Sequence, residues 1–139
     1  MTAYRIARRP YADLSGAGGK FAEGRCNPKG VATVYCSENI SLCALEILVH
    51  IQQHQVPDDY VLMTINIPTR VLTLDGAPGR LKEESGLRER RPAWAVRSVI
   101  IPRERNIVLF PEHREFRASI VSVEHFSFDP RLIDRATIQ

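Results

Sequence analysis

Residues 31–55 read VATVYCSENISLCALEILVHIQQHQ, and the fold class turns on this stretch. VATVYCS alternates like a β-strand, with Val31, Thr33 and Tyr35 on one face. Ser37 and Asn39 follow as candidate helix caps. Leu42, Leu45, Leu48 or Val49, and Ile51 or Gln52 then recur at helical spacing, which predicts a helix running towards Pro57. One strand, a cap and one amphipathic helix are therefore expected in sequence.

Most of the remaining signals are strands. YRIA at 4–7, YVLMTINIP at 60–68 and RVLTLD at 70–75 are strand candidates. So are SVIIP at 98–102, NIVLF at 106–110 and SIVSVEHFSF at 119–128. Turns are expected at Pro102–Arg105 and in PEHREF. Four glycines fall within the nine residues 16–24, so that stretch is expected to be loop. Gly76–Arg91 is expected to be an exposed loop with a helical turn, and PAWAVRS at 92–98 a short helix. A strand, a helix and then mainly strands point to an α+β domain with antiparallel pairing.

The chain has 139 residues, which suits a single domain spanning 1–139 with one core. Its net charge of +3 is mildly basic and compatible with an anionic ligand. No apolar run follows MTAYRIARRP, so no signal peptide is visible, and no segment approaches membrane-spanning length. The three cysteines lack a CxxC pair and are expected to be reduced, which points to the cytoplasm.

Glu46 is the sharpest individual residue. On a helix it shares a face with Leu42, Cys43, Val49 and His50. A carboxylate there either finds a partner beside a cavity or, with the helix rotated, reaches solvent. Arg25 sits in GRCN, where a tight loop suits bidentate phosphate binding, although loop arginines are also commonly solvated. Tyr35 offers a ring for stacking or for an ordinary core. Other signatures fail. GGK is followed by Phe21 rather than Ser or Thr, so there is no P-loop. His50 and His54 are spaced i, i+4 without an HExxH pattern, so no metal is expected. RLKEESGLRERR alternates in sign and lacks interleaved aromatics, as a solvated face does. A non-catalytic module binding nucleic acid or a partner would explain the basic charge but leaves Glu46 and Tyr35 without a purpose.

The motifs taken together are more specific. They run YRIA at 4–7, SGAGG at 15–19, GRCN at 24–27, VYCS at 34–37 and ALE at 44–46. SVIIP at 98–102, Asn106, PEH at 111–113 and FDPRL at 128–132 follow. In order and spacing the chain resembles the RES domain, the toxin half of RES–Xre toxin–antitoxin pairs in bacteria. It departs from that pattern at Cys26, Glu23 and Phe110. The resemblance implies an ADP-ribosyltransferase-like fold, with two small, mostly antiparallel sheets framing an NAD+ cleft and flanking helices. It implies NAD+ as substrate rather than as a tightly bound cofactor, and cleavage of the nicotinamide–ribose bond. Water, phosphate or a protein side chain would accept the ADP-ribosyl group. An Xre-like helix-turn-helix antitoxin would be the partner and would carry any DNA binding. On this resemblance Arg25 holds the diphosphate, with Arg5 as a second candidate. Tyr35 stacks on nicotinamide or walls its pocket. Glu46 bonds the ribose hydroxyl and stabilises developing positive charge. Ser98 orients the nicotinamide-ribose end or Glu46, and Asn106 supports the site.

Overall fold

The computed structural model of the protein describes residues 1–51 and 56–133. Seven strands form one sheet: β1 (Thr2–Arg8), β2 (Val34–Ser37), β3 (Tyr60–Asn66), β4 (Leu72–Thr73), β5 (Ala93–Arg97), β6 (Arg105–Leu109) and β7 (Ser119–His125). Their spatial order is β4-β5-β6-β2-β1-β3-β7. Every neighbouring pair is antiparallel except β4–β5. The helices are α1 (Ala17–Phe21), α2 (Ile40–Leu48), α3 (Arg80–Glu83), α4 (Ser85–Arg90) and α5 (Pro130–Ile133). The α+β expectation holds at this level.

The expected pair of separate sheets is replaced by one hydrogen-bonded sheet with a weak seam. β1 and β3 are in register over seven residue pairs, from Thr2↔Asn66 to Arg8↔Tyr60. β1 and β2 meet only at Tyr4↔Ser37. The cavity described below opens beside this seam, lined by Ile6 of β1 and Ser37 of β2.

Period-2 alternation distributes the core over the two faces. On one face Ala3, Val34, Met63, Ala95, Ile107 and Leu109 join in a cluster crossing the sheet. The other face carries two separate clusters. Trp94, Val96 and Val108 pack with Leu81 and Leu87 from α3 and α4. Ile6 and Leu62 pack with Cys43 and Leu48 from α2 and with Phe128. The space between these two clusters is where the cavity lies.

Several local expectations change. PAWAVRS contains strand β5, not a helix. Ala93 and Ala95 enter one cluster while Trp94 and Val96 enter the opposite one, so both faces are buried and the run shows no polar alternation. SVIIP is a turn rather than a strand. The glycine-rich stretch contains the one-turn helix α1. Within 76–91, where an exposed loop with a helical turn is expected, the chain forms two short helices, α3 and α4, anchored by buried Leu81 and Leu87. Helix α2 begins as expected, its Asn39 Oδ1 accepting from Leu42 N at 2.7 Å. It ends at Leu48, earlier than the periodicity suggests. Leu48 is the last residue it buries, and the chain then tightens through His50 N to Ile47 O and Ile51 N to Leu48 O. His50 therefore lies beyond the helix, and the His50–His54 pairing involves a residue outside those described. No helix among the described residues is long and apolar enough to cross a membrane.

Candidate active site

A cavity of about 440 Å³ opens between the two clusters. Its floor is β2, β6 and β5, through Tyr35, Ser37, Asn106, Val108 and Val96. Helix α2 supplies one wall through Cys43, Glu46 and Ile47, and the Gly24–Cys26 loop supplies another. This volume lies within the usual range for small-molecule sites. Thus Arg25, Tyr35, Glu46 and Asn106, distant in sequence, share one cavity.

The chemistry of Glu46 follows from its partners. It is half-buried on α2, one turn after buried Leu42 and Cys43. Asn106 Nδ2 donates to its Oε2 in a short contact. The Asn106 Oδ1 accepts from Ser37 Oγ at 2.7 Å. Ser37 and Asn106 are register partners on adjacent strands, so the sheet itself places the two side chains together. The carboxylate thus faces a cavity and has a fixed donor. Of the two orientations open to Glu46 in the sequence, the cavity-facing one is the one adopted.

Arg25 is exposed on a loop whose shape is set by its neighbours. Asn27 is buried, and its Nδ2 donates to Gly19 O, Ala22 O and Pro28 O at 3.3, 3.2 and 3.0 Å. Its Oδ1 accepts from the Tyr35 hydroxyl, and the Tyr35 phenolic oxygen in turn accepts from Cys26 N at 3.1 Å. Gly24 N donates to Asn27 O at 3.0 Å. The Glu23–Lys82 ion pair, 2.6 Å, ties the loop to α3. The phenol of Tyr35 is therefore anchored at its tip, while part of the side chain stays open to the cavity, with 40% of the residue's surface accessible. Burial pushes its hydroxyl up to about 12, so it is a neutral donor at physiological pH.

A second cavity of about 560 Å³ adjoins the first, and Ile6, Gly24, Tyr35 and Ile47 line both. Arg5 lines this second space rather than the first. Its Nη1 donates to Tyr11 O at 2.7 Å and Asp13 O at 3.1 Å, so the guanidinium braces the 11–13 loop. Arg5, the second candidate for the diphosphate, thus lies in the adjoining cavity while Arg25 lines the first.

Ser98 is a second departure. It is fully buried and does not line the cavity. Its Oγ accepts from Ile100 N at 3.1 Å and Ile101 N at 3.0 Å, and its own N–H donates to Glu104 O at 2.9 Å. It holds the turn after β5, while its neighbours Arg97 and Val99 reach the cavity. Among the described side-chain hydrogen bonds none joins Ser98 to Glu46, so any orienting effect of Ser98 would pass through this turn.

Sequence reasoning did not single out Ser37 or Arg97 as site residues. In the sequence Ser37 reads as a helix cap, and its offset of two from Tyr35 on a strand is the signal for a shared face. Arg97 is an exposed cation on the cavity wall, hidden in the sequence by the helical expectation for PAWAVRS.

The cysteines offer no nucleophile. Burial pushes the Cys26 and Cys43 thiols up to about 11 and the Cys36 thiol up to about 12. All three are free and buried, and their neutral thiols are poorly suited to attack at physiological pH. Among the described residues no group of three or more His, Cys, Asp or Glu side chains is disposed to hold a metal ion. Besides the His50 imidazole, the charged groups lining the cavity are a carboxylate with a fixed donor and two exposed guanidiniums.

Comparison with known proteins identifies the family of the chain. Residues 2–131 match the RES domain. The chain belongs to the RES domain family. It is 33% identical to Toxin Res of Yersinia enterocolitica over 156 aligned positions, covering 95% of this chain and 99% of that protein. It is 33% identical to the Prs ADP-ribosylating toxin of a Sphingobium species, covering 89% of each. Toxin Res of Photorhabdus laumondii is 30% identical, covering 96% of this RES chain and 97% of its relative. The fold resembles a chain in the crystal structure of the M. tuberculosis MbcT–MbcA toxin–antitoxin complex, with a TM-score of 0.71. That likeness covers 99% of this chain and 89% of the other at 16% sequence identity.

Proposed function

We propose that this RES domain is the toxin of a bacterial toxin–antitoxin pair and consumes NAD+ by cleaving the bond between nicotinamide and ribose. The carrying observation is the cavity that Glu46, held by Asn106, lines together with Arg25 and Tyr35. Relatives called Toxin Res support the toxin role. The basic loop residue suits the dinucleotide's diphosphate, and the carboxylate suits its reacting ribose.

The bond to be broken joins ribose C1′ to a cationic pyridinium nitrogen. Both bonding electrons leave with nicotinamide, which departs neutral and needs no strong acid. Positive charge develops on the ribose as in glycoside cleavage. Glu46 accepts a hydrogen bond from a ribose hydroxyl and stabilises that charge, and Arg25 holds the diphosphate. Tyr35 presents its ring to the nicotinamide end, and Asn106 keeps Glu46 aimed. Ser98 contributes through the turn that carries Arg97 and Val99. An Xre-like helix-turn-helix protein is the proposed antitoxin.

The acceptor is water or phosphate in this reading, giving a glycohydrolase or a phosphorylase. The Sphingobium relative, called an ADP-ribosylating toxin, favours a second reading: transfer to a host protein side chain. Incubation with adenine-labelled NAD+, with and without phosphate and cell lysate, distinguishes these outcomes. Free ADP-ribose, its phosphate ester, or a labelled protein band identifies the acceptor. Nicotinamide release should be lost in Glu46→Ala while the fold persists. Undiminished release by that variant would overturn the assignment.

A further inference from the structure

Ser37 lies beneath the site, buried at 3% exposure; its hydroxyl donates to one end of the Asn106 amide, and the Cys43 thiol lies beside it. The other end of that amide contacts Glu46. A primary amide is nearly symmetrical in shape, so its partners decide which end points where. An ionised carboxylate can only accept, and it needs the nitrogen end. A hydroxyl donated to Oδ1 makes that same orientation favourable at the opposite end. The register pairing of Ser37 with Asn106 keeps the hydroxyl at the right place on the sheet.

We propose that Ser37 is a positioning residue for Glu46: by donating to Asn106 Oδ1, it holds the amide nitrogen against the carboxylate and so fixes the carboxylate in the cavity. The contribution is directional. Although Ser37 forms part of the cavity floor, its hydroxyl is turned to Asn106 and acts through that amide. Removing its hydroxyl leaves Asn106 Oδ1 without its donor and opens other side-chain rotations to the amide. Glu46 then loses a constant partner and spreads over several rotamers, fewer of them productive.

The kinetic part of this inference rests on the NAD+ reading above, whereas the orientation of the amide does not. Two measurements on the full chain therefore belong together. The first is steady-state nicotinamide release by wild type, Ser37→Ala and Ser37→Thr. Expected for Ser37→Ala is a kcat lower by about tenfold or more with KM for NAD+ within about twofold, because the loss falls on the reacting geometry rather than on ground-state binding. Ser37→Thr keeps the hydroxyl and should recover most of kcat. The second is NMR of the side-chain amide of Asn106, assigned through Asn106→Asp. Wild type should give two sharp, well-separated Nδ2 proton signals, and Ser37→Ala should broaden or merge them.

Unchanged kcat in folded Ser37→Ala, or unchanged Asn106 amide signals, would overturn the proposal. So would a fall in kcat that only tracks the fraction unfolded. If Ser37→Ala does not fold, Ser37→Cys, similar in volume and a weaker donor, serves in both measurements with the same expected direction. If wild type releases no nicotinamide, the NAD+ reading fails, and the amide signals still decide whether Ser37 sets the orientation of Asn106.

Discussion

A Cβ on residue 24 would stand 2.5 Å from the Tyr35 hydroxyl oxygen and 2.6 Å from Asn27 Oδ1. Gly24 and Tyr35 therefore fit together only because residue 24 has no side chain. Because the Tyr35 tip is itself bonded to Asn27 and Cys26, it cannot retreat without breaking the bonds that shape the Arg25 loop. The glycine of GRCN is thus a packing requirement of the site.

Gly24→Ala should accordingly disturb both cavities, since Gly24 and Tyr35 line each of them. Overpacking of this kind costs about 1–3 kcal/mol. The expected outcome is a lower urea midpoint together with a loss of nicotinamide release larger than the stability change accounts for. Release equal to wild type in the folded variant would show that the loop relaxes freely.

Arg25→Ala should separate binding from folding. The side chain is exposed and lies on the cavity wall, so its removal should change stability by no more than about 0.5 kcal/mol. Loss of a charge-assisted contact to the diphosphate should weaken NAD+ binding by roughly tenfold, at the lower end of such bonds because solvent competes. Calorimetry with an intact, slowly cleaved NAD+ analogue provides the affinity. Unchanged affinity would remove Arg25 from the phosphate role.

The parts of the site legible in the sequence were those where a polar residue interrupts an otherwise apolar element. Glu46 on α2 and Tyr35 on β2 are such residues, and both reach the cavity. The motif order joined them to Arg25 and Asn106 although periodicity alone had left the orientation of Glu46 open. The run at 92–98 misled because β5 is buried on both faces: alanine, tryptophan and valine in an unbroken apolar row carry no period. The weak β1–β2 seam was equally invisible, since register depends on which strands meet in space. Ser98 illustrates a further limit. A serine's type cannot reveal whether its hydroxyl turns towards a cavity or towards its own backbone.

Ser98→Ala tests that last distinction. The hydroxyl, itself buried, accepts from two backbone N–H groups in a part-buried turn, and leaving these without a partner costs about 1 kcal/mol or more. Thermal unfolding should therefore move down clearly. In the folded fraction kcat should fall only modestly, because Arg97 and Val99, not Ser98, reach the cavity. A collapse of kcat at unchanged stability would instead give Ser98 a direct role in the reaction.

Alkaline pH should weaken the protein through groups buried in their neutral form. Burial raises the Tyr35 hydroxyl to about 12, the Cys36 thiol to about 12, and the Cys26 and Cys43 thiols to about 11. Each group binds its proton more tightly folded than unfolded. Its stabilising effect is therefore complete at neutral pH, begins to fall near the ordinary thiol and phenol values of about 8.5–10, and is lost as pH passes the folded values. Denaturation midpoints measured from pH 8 to 12 should decline across that window, and Cys36→Ala, which deletes one contributor, should show a shallower decline. The same burial predicts slow labelling of native protein by a thiol-specific reagent at neutral pH and rapid labelling of all three cysteines in denaturant. Rapid labelling of the native protein would show that the thiols are reachable and would undo the pH argument with them.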